Sequence, residues 1–209
     1  MKNHYEHCLS YFFFLLLLKA EEEGALQQEL EMVAEKITVV GKNDENLFLH
    51  VADVTVGELF RVKYEILLKS VIAEKTGTKL EIIYLNDEGR LRWKHAEARE
   101  HTKTYSSVLK TMQELLVDAD NSTRVKLKKA RICAEEGTKL LHQAATGHFS
   151  TQQAKVAKQY IRTVNKKVLP ALNSMRVPTY EVAVKSRKVK AYLRRTTDLL
   201  DVLIILMKN

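Results

Sequence analysis

The sequence predicts an α+β fold that is predominantly helical: a small α-ββ-α-ββ module followed by an antiparallel helical bundle. Three observations predict it. Only seven glycines and two prolines punctuate 209 residues, which favours long helices over many short strands. Strand-like runs around polar turns are concentrated in the first hundred positions, with one short exception near the end. Beyond them, apolar residues recur at three- and four-residue spacing. The division is placed at 95/96, giving an acidic α+β module with a long N-terminal helix (1–95) and a basic helical bundle (96–209).

The first helix is expected from Tyr5 to Lys36. Leu26, Leu30, Val33 and Ile37 recur at helical spacing, and Glu21, Glu22, Glu23, Glu29, Glu31 and Glu35 form a wet side. "ITVV", "GKNDEN" and "LFLHVADV" then read as two strands around a polar loop. Thr55 and Glu58 have the spacing of a capping box for a second helix. Leu59, Val62, Ile66 and Ile72 supply its apolar side, and Gly77 suits a left-handed cap at its end. "KLEIIYL", "NDEG" and "RLRWK" read as a second hairpin, because Leu80, Ile82 and Tyr84 alternate on one arm and Leu91 and Trp93 on the other.

Four further helices make the bundle. Tyr105, Val108, Met112, Leu115 and Leu116 mark one, and Val125, Ile132, Cys133, Leu140 and Leu141 the next. Ala157, Ile161, Val164 and Val168 mark a third, bent or ended by Pro170. Val189, Tyr192, Leu193, Leu199, Leu200 and Leu203 mark the last. "TYEVAVK" has the alternation of a short strand. "DADNS" (118–122) and "TGHFS" (146–150) connect the helices and supply capping residues.

Charge is divided unevenly. Residues 1–100 hold 13 Lys/Arg against 18 Asp/Glu, a net of −5, whereas residues 101–209 hold 21 against 8, a net of +13. In the basic half the cations fall at helical spacing. Arg124, Lys128 and Arg131 share one face of their helix, Lys155, Lys158, Arg162 and Lys166 another, and Arg187, Lys190 and Arg194 a third. The row from Lys155 to Lys166 extends roughly 16 Å at helical rise. It spans several backbone phosphates of a nucleic acid, whose contacts release counterions without reading sequence. We therefore take these ten residues as the candidate anion-binding set, with nucleic acid, a nucleoprotein assembly or an acidic protein surface as the expected partner. No zinc-finger spacing, RNP aromatic pattern or convincing helix-turn-helix accompanies them.

A second expectation is a scaffolding subunit, such as one of a viral or mobile-element particle, assembled through its helices. "CLSYFFFLLLL" (8–18) and "LLDVLIILM" (199–207) are more apolar than one amphipathic face requires, so a homo-oligomer through the terminal segments belongs to this expectation. Neither run reaches the roughly 20 apolar residues a membrane helix needs, and "KAEEEGA" is a poor cleavage context for a signal peptide. Only Cys8 and Cys133 are present, which fits a reducing, cytoplasmic setting.

No catalytic chemistry is expected. "GxSxG", "HExxH" and a glycine-rich phosphate loop are all missing. His4, His7 and Cys8 lie within one helical turn but lack the partners that close a zinc site. His142 and His148 flank a helix end, Asp118 and Asp120 suit loop and cap chemistry, and Cys133 reads as a small buried hydrophobe. Neither metal nor cofactor is anticipated.

Overall fold

The computed structural model describes residues 27–117, 119–147 and 149–207. The anticipated helix start, the apolar run 8–18 and the His4/His7/Cys8 group fall outside these residues, as do Asp118 and His148. The chain divides into two compact units, 1–90 and 91–209.

The first unit runs α1 (Gln27–Glu35), β1 (Ile37–Lys42), β2 (Asn46–Val51), α2 (Val54–Lys63), α3 (Glu65–Thr76) and β3 (Glu81–Leu85). Its sheet has the order β1-β2-β3, with β1 antiparallel to β2 and β2 parallel to β3. The parallel pairing requires a crossover, and α2 and α3 provide it. Leu30, Val33, Leu49, Phe60 and Leu68 are essentially inaccessible in its core. Each such side chain stabilises the fold by about 2 kcal/mol through burial.

Three expectations for this unit are corrected. The α2 cap is Asp53, whose carboxylate accepts from Thr55 N at 2.9 Å and Val56 N at 3.3 Å, so Thr55 and Glu58 do not form the box. The single helix expected there is broken at Tyr64 (φ −121°), and the break resets which positions face inward. Val62 and Ile66 consequently stand 77% and 80% exposed, while Tyr64, Leu67 and Leu68 are buried. The left-handed cap at Gly77 is present, at φ 69°, a conformation that costs glycine nothing.

The third correction concerns the second hairpin. β3 has no return strand: "DEGRLRWK" opens helix α4 (Asp87–Lys103). Asn86 decides this. Its side chain accepts from Gly89 N at 2.9 Å and its carbonyl accepts from Arg90 N at 2.9 Å, while Asp87 and Glu88 sit favourably in the positive first turn. Asp87 Oδ1 also accepts from the buried His50 ring at 2.7 Å, tying the start of α4 to β2. The alternation in "RLRWK" is too short to outweigh a satisfied helix start.

The second unit is a helical bundle: the remainder of α4, α5 (Tyr105–Val117), α6 (Asn121–Ala145), α7 (Thr151–Thr163), a π-helical turn at Val164–Val168, α8 (Leu169–Asn173) and α9 (Tyr180–Leu206). The π turn answers Pro170, which lacks the N–H that would continue the α ladder. Leu169 N donates to Val164 O, one residue further back than in an α-helix. "TYEVAVK" is no strand; Thr179 Oγ1 accepts from Val182 N at 3.3 Å and starts α9.

The bundle core contains Met112, Leu127, Leu141, Val164, Leu193 and Leu203. Cys133 is buried, as expected of a small hydrophobe, and burial raises its thiol pKa. Val125 and Ile132, assigned to the core from sequence, are 52% and 58% exposed. The buried face of α6 is carried by Leu127 together with Ala130, Ala134 and Gly137, three small residues that admit close neighbours. The C-terminal apolar run is core: Leu199, Leu200, Leu203 and Ile204 are buried, and Ile205 faces out. Among the described residues no helix is long and apolar enough to cross a membrane.

Candidate anion-binding face

The three cationic rows occupy different environments. On α6, Arg124 is committed to its own fold. Its Nε donates to Ala119 O at 2.9 Å and its terminal nitrogen to Val117 O at 3.4 Å, satisfying carbonyls at the end of α5. Lys128 and Arg131 are exposed, but Glu135 follows on the same line and pairs with Lys139 at 2.8 Å. The positive neighbours hold the Glu135 carboxyl below its usual range, chiefly through the Lys139 hydrogen bond.

On α9, Arg187 is exposed and Lys190 and Arg194 are half-buried. The cations beside them are spoken for. Lys185 pairs with Glu181 at 2.6 Å and Glu114 at 3.1 Å, Lys188 donates to Ser107 Oγ at 2.8 Å, and Arg195 pairs with Glu97. Opposite-sign pairing is thus supplied along α9 both within the helix and from α4 and α5.

The row on α7 differs. Lys155, Lys158, Arg162 and Lys166 are all exposed. Lys155, Arg162 and Lys166 make no ion pair with a carboxylate among the described residues. The cause is compositional: no Asp or Glu occurs between Glu136 and Glu181, while seven Lys/Arg do. Lys167 and Arg176, both exposed, extend this acid-free stretch and were not in the sequence-derived set. The length of the acid-free interval was the signal that would have found them.

Local structure holds the row outward. Ser150 accepts from Gln153 N at 3.2 Å while the Gln153 side chain accepts from Ser150 N at 2.6 Å, a reciprocal capping box. Ala157, Tyr160, Val164 and Val168 are buried on the other side. Opposite them, the three- and four-residue intervals of the cations place their charges along the solvent side. In the π turn, Asn165, Lys166 and Lys167 are three consecutive exposed residues.

Other polar groups serve packing. His101 stacks on Tyr192 with ring centroids 4.4 Å apart, and its Nε2 lies 2.9 Å from Thr196 Oγ1. Burial pushes the imidazole down to about 4, so it is neutral at physiological pH. Tyr192 shares a 2.6 Å hydrogen bond with Thr138. Asp120 caps α6 by accepting from Thr123 N at 2.7 Å, which lowers its pKa, and His142 lies exposed in the last turn of α6. A cleft of about 500 Å³ beside Arg176 carries Glu114, Asp120, Glu181 and Lys185, so its charges largely cancel. Among the described residues no three His, Cys, Asp or Glu side chains cluster as metal ligands. Compared with family models, curated proteins and solved structures, the chain matches none.

Proposed function

We propose that this protein is a non-enzymatic binding protein whose α7 face, centred on Lys155, Lys158, Arg162 and Lys166, docks on the phosphate backbone of a nucleic acid, free or within a nucleoprotein assembly. One observation carries the reading: the row is exposed and lies in a stretch of chain without carboxylates. Charges of one sign repel along a helix and cost stability. Elsewhere in the bundle the same cost is relieved by pairing, as at Lys139–Glu135 and Lys185–Glu181. The absence of carboxylates from the stretch of chain around α7 keeps the positive potential available to an anionic polymer. Lys128 and Arg131, with Arg187, Lys190 and Arg194, add to the field as neighbouring rows.

Binding of this kind is steep in salt. The logarithm of the association constant falls with slope about −0.9 for each phosphate neutralised on duplex DNA. The test is a salt titration of wild type and of K155E/K158E/R162E, with an equal charge change at Lys36, Lys42 and Lys79 as control. We expect binding by wild type and control and none by the α7 variant. A salt-independent association, or a control as damaging as the α7 variant, removes the reading.

A further inference from the structure

We infer that the ligand of the α7 row is a double-stranded nucleic acid held along its backbone, and not a single strand. The inference rests on the phosphate-binding reading above and narrows it.

Proteins that hold single strands without reading sequence combine a basic track with aromatic side chains on which the bases stack. Stacking offsets the freedom a flexible strand loses when it is ordered. The α7 face has the track and lacks the platforms. Over α6, α7, the π turn and α8 the only Phe, Tyr or Trp is Tyr160, which is 6% exposed in the bundle core, and the one histidine, His142, stands in the last turn of α6, off the α7 row. Phe149, just before α7, is half-buried and packed against the same core. The strongly exposed aromatic of the described second unit, Tyr180, stands in the first turn of α9 at 79% exposure, outside the α7 row.

A duplex suits what is present. The row is braced by the Ser150–Gln153 box at one end and by buried Val164 and Val168 near the other, so the cations are mounted on a fixed helix. A duplex is stiff on this length scale, and neither partner gives up much conformational freedom when they meet. Roughly 16 Å of helix faces a duplex axis carrying about ten phosphate charges over both strands. Exposed Gln152, Gln159 and Asn165 stand among the cations and add amide N–H donors for phosphate oxygens without adding negative charge.

The experiment is fluorescence anisotropy of the full chain with a labelled duplex of about 20 base pairs and with one of its strands alone, at about 50 mM and about 200 mM salt. We expect the duplex to bind at least tenfold more tightly than the strand. K155E/K158E/R162E should lose duplex binding while keeping its helical circular dichroism, and Tyr180→Ala should leave duplex affinity unchanged. Equal or tighter binding of the single strand, or a loss of affinity in Tyr180→Ala, overturns the duplex assignment and leaves the phosphate-binding reading standing. Absence of binding to either oligonucleotide at the lower salt overturns both and leaves an acidic protein surface as the partner that fits the charge.

Discussion

The hydroxyl of Tyr160 on α7 lies against the backbone of Gly137 on α6, so closely that a Cβ at position 137 would overlap it. Tyr160 is 6% exposed and its hydroxyl has no hydrogen-bond partner among the described residues. This contact seats α7 on α6 by the face opposite its cations. A glycine within a 25-residue helix normally weakens it by about 1 kcal/mol relative to alanine. Here the missing side chain is the space the tyrosine occupies.

Gly137→Ala is therefore expected to destabilise the bundle by about 1–3 kcal/mol, against the gain that helix propensity alone would bring. Tyr160→Phe removes a buried, unpaired hydroxyl and should be neutral or stabilising by up to about 1 kcal/mol. Urea unfolding of the two variants checks both. A more stable Gly137→Ala protein would show that the helices are not in this contact.

His101 predicts a pH dependence. Burial holds its folded pKa at about 4, below the ordinary 6.5, so the unfolded chain takes up the proton first. The stabilisation is complete above pH 6.5 and is lost as pH falls toward 4. At pH 5 the loss is about 2 kcal/mol relative to pH 7. His101→Gln should flatten this part of a stability–pH profile measured by urea unfolding, whereas an unchanged slope would assign the titration elsewhere.

Asn86→Ala tests the start of α4. Losing the cap to Gly89 N should cost about 1 kcal/mol, with Asn86→Asp tolerated because aspartate caps equally well. Thermal melts of the two variants check this, and an Asn86→Ala protein as stable as wild type would remove the cap from the account of how α4 starts.

Within the α7 row, single neutralisations should be graded. Lys155→Gln and Arg162→Gln should each lower the steepness of log K against log salt by about 1, and do so equally for oligonucleotides of different sequence. A sequence-dependent effect would mean that one of these side chains reaches a base edge.

The parts of the fold legible in the sequence are those where one local signal stands uncontested. The Gly77 cap, the Ser150 start of α7 and the disturbance at Pro170 each arise from a single residue's backbone chemistry. The helices of the bundle were readable from apolar spacing because 3.6-residue periodicity persists over many turns. Where two local signals competed, the sequence was ambiguous. Residues 87–94 alternate like a strand and begin like a helix, and the bonds made by Asn86 settle the matter.

The candidate site divides the same way. The sequence by itself determined that cations line up on three helices and that the stretch around α7 contains no acid, because composition and helical period are local properties. Only the tertiary structure decided which rows meet carboxylates brought in from elsewhere. Glu97 and Glu114 reach the flank of α9 from positions roughly 70 to 100 residues away, and Arg124 turns back onto the end of α5. Which charges cancel depends on what folding brings within a few ångströms, and the spacing of residues along one helix does not carry that information.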